Sequence, residues 1–226
     1  MEFLTDYQKL VAASLTHLNQ GKSPIGLYQP IDYLLALGGK RLRPVLVLMA
    51  CEAFGKTAKE ALPAAQAVEG VHNFTLMHDD IMDKTSMRRG AQTVHEKWDV
   101  NTAILSGDAM LVQAYLFLNG YEPKLFQSLT TLFSKTALEV CEGQQYDVDF
   151  EFRDDVRIED YLEMIRLKTA VLVGCAMQMG AAVGGATSKD AQQLYLFGEQ
   201  LGIAFQLQDD YLDTFGDAAS FGKRVG

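Results

Sequence analysis

Residues 58–83 read AKEALPAAQAVEGVHNFTLMHDDIMD. Apolar residues recur along this stretch at helical spacing, which predicts one long helix over about 58–83, with Pro63 as a kink or a break. The same period runs outward in both directions. Phe3, Leu4, Tyr7, Leu10, Val11, Leu15 and Leu18 mark an amphipathic first helix, and GKSPIG (21–26) breaks it. A short helix is expected over 31–37, stopped by Gly38-Gly39. Pro44 suits the first turn of the next helix, which runs to about residue 54. The polar stretch Lys84–Thr93, with Gly90, reads as a loop. Further helices are expected near 100–119, 124–150, 158–167, 169–184 and 189–215. No Asn-Gly or Asp-Gly turn separates alternating strands, so at most a two-residue strand or two is expected. The expectation is one all-α domain, a helical bundle over residues 1–226.

Composition excludes several classes. With 226 residues, 48% of them apolar, and 12 Phe and 9 Tyr, the chain is long and apolar enough to bury a core. Cys51, Cys141 and Cys175 are widely spaced, which excludes a disulfide framework and a zinc-ligand pattern and points to the cytoplasm. The start, MEFLTDYQKL, has no basic stretch before an apolar one, so no signal peptide is expected. A net charge of −9 argues against nucleic acid, whose phosphates call for surplus Lys and Arg. Thr169–Ser188 carries no charge and includes Gly180 and Gly184, but it is poor in large aliphatics and holds Gln178. It reads as a close-packed internal helix rather than a membrane span.

Chemistry concentrates in a repeated acidic pattern. Asp79-Asp80-Ile-Met-Asp83 and Asp209-Asp210-Tyr-Leu-Asp213 both have the form DDxxD. Two such motifs arise by chance in well under ~1% of chains of this composition. On a helix, Asp79 and Asp83 share a face, as do Asp209 and Asp213. Both motifs fall late in their helices, where the macrodipole disfavours negative charge. Carboxylates among apolar neighbours there need a cation. Mg²⁺ suits them, because it takes one or two carboxylates together with substrate phosphates. The bases are clumped as well. Lys40, Arg41 and Arg43 lead from a Gly-Gly turn into a helix N-terminus, a favourable place for phosphate. Arg88 and Arg89 follow the first acidic motif, within reach of a metal-held diphosphate.

GGKRLRP (38–44), HDDIMD (78–83), RRG (88–90), GQQYD (143–147), Lys168-Thr169, FQLQDDYLD (205–213) and GK (222–223) occur in this order. On these motifs the chain resembles the trans-isoprenyl diphosphate synthases of the polyprenyl synthetase family. The resemblance implies the isoprenoid synthase fold, a bundle around a central cavity, and a homodimer. It implies head-to-tail condensation of isopentenyl diphosphate with an allylic diphosphate, supported by about three Mg²⁺ ions, with Mn²⁺ as a substitute. By position, Asp79, Asp83 and Asp209 correspond to metal ligands. Lys40, Arg43, His72 and Arg89 correspond to residues holding isopentenyl diphosphate. Arg88, Lys168, Thr169, Gln206 and Lys223 correspond to residues gripping the allylic diphosphate. Asp80, Asp213, Gln144 and Asp147 stand as supporting residues in the same cavity, and the resemblance makes Asp79, Asp80, Asp83, Asp209, Asp210, Asp213 and Lys168 the catalytic set. Relatives continue for several helices beyond the counterpart of Gly226, so the resemblance implies a chain that is C-terminally incomplete.

Rival readings differ in what they require. A His78-Asp79 metal pair of a phosphohydrolase needs further ligands, and the chain has only four histidines, His17, His72, His78 and His95. A class I terpene cyclase shares the first motif but replaces the second DDxxD and needs one diphosphate site. A non-catalytic partner subunit typically loses an aspartate motif, and both are intact. Phe74, five residues before Asp79, and the smaller Thr75 are the expected chain-length residues, a ring at the floor of an apolar tunnel. On an ideal wheel Thr75 points nearer the aspartate face. The family pattern of one aromatic and one small residue here implies geranylgeranyl diphosphate as product, with farnesyl diphosphate as the alternative.

Overall fold

The computed structural model describes residues 2–16 and 18–215. Helix α1 (Glu2–Leu15) buries Tyr7, Val11 and Leu15, one residue per turn on a single face. Helix α2 (Ile25–Ala36) begins six residues before the expected 31. Pro24 launches it in an extended conformation, and Pro30 is tolerated inside it among the buried Ile31, Leu34 and Leu35. The chain then turns through Gly38, Gly39 and Arg41, all at positive φ, into α3 (Leu42–Ala53), with Pro44 in its first turn as expected.

A Thr57–Glu60 capping box opens a 3₁₀ turn over Ala58–Ala61, and α4 (Leu62–Met82) follows. Pro63 therefore neither kinks nor breaks a long helix. It starts one, in the first turn, where its missing N–H has no partner to lose. Strands β1 (Met87–Arg88) and β2 (Ala91–Gln92) pair antiparallel across Arg89-Gly90 inside the segment expected as loop. A single turn, α5 (Val94–Lys97), leads to α6 (Val100–Phe117), which is capped by the Asp99 carboxylate accepting from the Thr102 N–H at 2.9 Å. Helix α7 (Pro123–Phe150) is the next long element.

The two helices expected over 158–167 and 169–184 are one continuous run. α8 (Ile158–Ile165) passes through a π-helical turn, Arg166–Ala170, into α9 (Val171–Gly184). By length and composition Ile158–Gly184 could cross a membrane, but 83% of its apolar window is buried inside the fold. It is the central helix, packed against α3, α7 and α10 (Ser188–Phe215) and touching α4, which in turn packs on α6. The Gly180 and Gly184 pair is the reason α3 comes so close. A Cβ at Gly180 would stand 2.9 Å from Ala50 Cβ and closer still to the Val47 carbonyl, and one at Gly184 would stand 2.6 Å from the Cys51 carbonyl. Around this axis Phe133, Leu34, Leu48, Met77, Leu129 and Met179 are fully buried, each contributing about 1.5–3 kcal/mol.

Candidate active site

Two adjoining compartments lie where the motif-bearing helices converge. One is a cleft of about 500 Å³ lined by Asp79 of α4, Gln144 of α7, Lys168 and Thr169 of the π turn, and Gln206 and Asp209 of α10. The other, about 470 Å³, is lined by Lys40, Arg41, Arg43, His72 and Arg89. Arg43, His72 and Phe205 line both, so a basic chamber and a cleft bearing both aspartates and Lys168 share a wall.

A basic residue 51 positions from Gly38 meets that turn through a glycine. The Arg89 side chain donates to the Gly38 carbonyl and lies against Gly39, where a Cβ would stand 2.7 Å from the guanidinium carbon. Arg41, which the sequence offered only as one of a basic cluster, is buried. It donates to the Glu69 carboxylate and to the Leu35 carbonyl, and Asn73 donates to the same carboxylate oxygen at 2.9 Å. This buried pair braces the turn that presents Lys40 and Arg43. Glu69, a lone acid in an apolar stretch one turn before Asn73, was the available signal for it. Arg43 Nη1 lies 3.4 Å from His72 Nε2. A guanidinium only donates, so Nε2 accepts and the imidazole is neutral. Burial, then Arg43 and the other guanidinium groups, hold its pKa well below the ordinary histidine value.

The acidic motifs are divided by their surroundings. Asp79 lines the cleft, and burial, aided by Asp83 and opposed by Lys168 and Arg88, pushes its pKa up to about 6. Asp80 points the other way. It is fully buried, and both its oxygens accept from Arg88, at 2.8–3.0 Å. Neither Asp80 nor Arg88 lines the cleft, so the structure does not bring this pair to the place expected for a cavity acid and an allylic-site arginine. Asp83 caps the end of α4 and is exposed. In α10, Asp209 lines the cleft, while Asp213 is exposed and lines neither compartment. Asp210 accepts from Gln206 at 2.8 Å and from the Tyr161 hydroxyl, and Thr169 donates to Gln206 at 3.0 Å. Tyr161 was not foreseen from the sequence. Burial and Asp210 raise its pKa, so it remains a donor.

Gly143 accounts for the GQQYD stretch. A Cβ there would stand 2.6 Å from Lys168 Cα, so α7 can reach the π turn, where Lys168 donates to Asp147. The turn widens the helix and aims Lys168 and Thr169 into the cleft, a common use of such turns at functional sites. Phe74 and Thr75 line the same cleft, and the Phe74 ring meets His78 edge-on. Lys223 lies outside the described residues.

The donor set fits Mg²⁺. Asp79 and Asp209 face one cleft, and no side-chain hydrogen bond among the described residues takes up either carboxylate. Among the described residues no three His, Cys, Asp or Glu side chains converge into a cage. The two cleft carboxylates suit an ion that completes its octahedron with water and phosphate oxygens.

The polyprenyl synthetase family model matches residues 25–226. The geranylgeranyl diphosphate synthase of Methanosarcina mazei is 44% identical over 96% of this chain and 67% of its own length. The geranylgeranyl pyrophosphate synthase of Geoglobus acetivorans is 42% identical over 95% of this chain and 68% of its own. A crystal structure of a geranylgeranyl pyrophosphate synthase, 57% identical, superposes with a TM-score of 0.95 over 99% of this chain and 68% of that one. An all-α bundle, two aspartate motifs converging from α4 and α10, and relatives of this closeness agree: the chain belongs to the polyprenyl synthetase family, the trans-isoprenyl diphosphate synthases.

Proposed function

We propose that this protein, as one catalytic domain over residues 1–226, condenses isopentenyl diphosphate head-to-tail with an allylic diphosphate. The observation that carries this reading is the shared wall. The aspartate-bearing cleft and the basic chamber meet at Arg43, His72 and Phe205, so two diphosphates can be held side by side with their hydrocarbon parts in contact. A terpene cyclase has no use for the second chamber.

The allylic diphosphate sits in the cleft, gripped by Lys168, Thr169 and Gln206. Asp147 holds Lys168 in place, and Asp210 and Tyr161 orient Gln206. Asp79, Asp83 and Asp209 would hold Mg²⁺, which would supply the charge that lets pyrophosphate leave. Lys40, Arg43 and Arg89 bind isopentenyl diphosphate, with neutral His72 beside them as a hydrogen-bond partner. The isopentenyl double bond attacks the allylic carbon, a proton is lost to the departed diphosphate, and apolar helix walls keep water from the cation.

The main product is geranylgeranyl diphosphate. The Phe74 ring beside the small Thr75 in the cleft and the names of the relatives support this length. The protein acts in the cytoplasm, which three free cysteines support. It acts as a homodimer. Leu105, Val112 and Leu116 form an apolar stripe on one face of α6, each about three-fifths exposed in the single chain. Incubation with isopentenyl diphosphate, dimethylallyl diphosphate and Mg²⁺, followed by mass spectrometry, should yield the twenty-carbon diphosphate. Phe74→Ala should lengthen it. Absence of any condensation product from the folded full-length protein would sink the reading.

A further inference from the structure

Phe74 stands in the cleft, and the chain of contacts that holds its ring runs through His78 to the neighbouring helix, α6. Phe74 and His78 are one turn apart on α4, and their rings meet edge-to-face with centroids 4.7 Å apart at 66°. The far side of the His78 ring rests against α6 at Gly107. A Cβ there would stand 2.6 Å from His78 Cδ2 and closer still to Nε2. His78 Nε2 lies 3.2 Å from the Ile104 carbonyl oxygen. A carbonyl only accepts, so Nε2 carries the proton and donates.

The space at Gly107 belongs to the imidazole and not to helix packing. All three of the nearest atoms a Cβ would meet are His78 ring atoms. Gly70, elsewhere on the same α4–α6 seam, is different. A Cβ there would meet Ala114 Cβ at 3.1 Å and α6 backbone beyond it. The seam is close at Gly70 and notched at Gly107. His78 itself borders the cleft, so a ring denied the notch turns toward Phe74 and the cleft.

We propose that His78, seated in the notch at Gly107, is the positioning residue that sets where the Phe74 ring stands and hence the length of prenyl chain the cleft admits. This rests on the prenyl-synthase reading above. Without the imidazole the Phe74 ring can fall back into the vacated notch, and the cleft deepens. With the notch filled, the imidazole and the ring move inward, and the cleft shortens.

The test compares full-length wild type, His78→Ala, Gly107→Ala and the double variant, with isopentenyl diphosphate, dimethylallyl diphosphate and Mg²⁺. Products are resolved by chain length with mass spectrometry, and folding is checked by circular dichroism. His78→Ala should raise the ratio of longer product to twenty-carbon product by about tenfold. Gly107→Ala should shift products toward fifteen carbons. The double variant should follow His78→Ala, because the added methyl has nothing left to displace. Overall turnover does not report on the proposal, whereas product ratio does, and a merely structural histidine would not move it. A folded, active His78→Ala with the wild-type distribution would overturn the inference and leave the prenyl-synthase reading intact. So would a double variant whose product distribution matches that of Gly107→Ala alone. No prenyl product from wild type would overturn both.

Discussion

The two DDxxD motifs are the same pattern in unlike settings. In α4 the second aspartate, Asp80, is buried and ion-paired to Arg88, and it ties the β-hairpin carrying Arg88 and Arg89 to the helix. In α10 the equivalent residue, Asp210, stays partly exposed and is engaged by neutral donors, Tyr161 and Gln206. Only the first aspartates, Asp79 and Asp209, face the shared cleft. The leading Asp-Asp pairs thus divide into two cleft-facing carboxylates, one structural anchor and one orienting acceptor, and burial makes the division.

The largest expected effects test the likeness of the first aspartates. Asp79→Ala and Asp209→Ala should each lower kcat by more than about a hundredfold, and chelation should abolish turnover, in initial rates at saturating substrate and Mg²⁺. A much smaller loss at Asp209 would break the functional symmetry of the motifs. The second aspartates should differ in stability. Asp80→Ala leaves the Arg88 charge without its partner and should cost about 3–5 kcal/mol in urea unfolding. Asp210→Ala loses neutral hydrogen bonds and should cost about 0.5–1.5 kcal/mol. Asp80→Leu combined with Arg88→Met should recover most of the first loss. Equal costs would refute the contrast between anchor and acceptor.

Replacing Lys40 or Arg43 by alanine should raise KM for isopentenyl diphosphate by about tenfold with kcat nearly unchanged, because these groups bind the phosphate throughout the reaction. A matching rise in KM for the allylic substrate would mean that the two compartments are not separate sites. The smallest effect concerns His72. Its folded pKa lies well below 6.5, while the unfolded chain takes up a proton near 6.5. The unfolded state therefore binds more protons below that pH, and stability falls as pH drops through 6.5. His72→Gln should flatten this part of the stability–pH curve, read as urea midpoints at several pH values.

Helix identity was legible wherever the apolar period ran long, as in α4, α7 and α10, because burial of one face is written into the spacing of residues. Element ends were less so. Pro63 and Pro30 look alike as helix breakers, yet one starts α4 and the other sits within α2, a choice made by which N–H groups the surrounding packing leaves without partners. The break expected near 168 became a π turn because Gly143 lets α7 press against it.

By itself the sequence determined the all-α class, the two acidic motifs and the basic turn, since these rest on residue type and local periodicity. The tertiary structure alone decided that Asp80 and Arg88 neutralise one another, that Arg41 is buried on Glu69, and that Tyr161 holds Asp210. It also decided that the bare α-carbon of Gly107 receives His78. Each of these is a contact between residues distant in the chain or on different elements, and local spacing carries no record of which side chain a charge or a ring will meet once the helices pack.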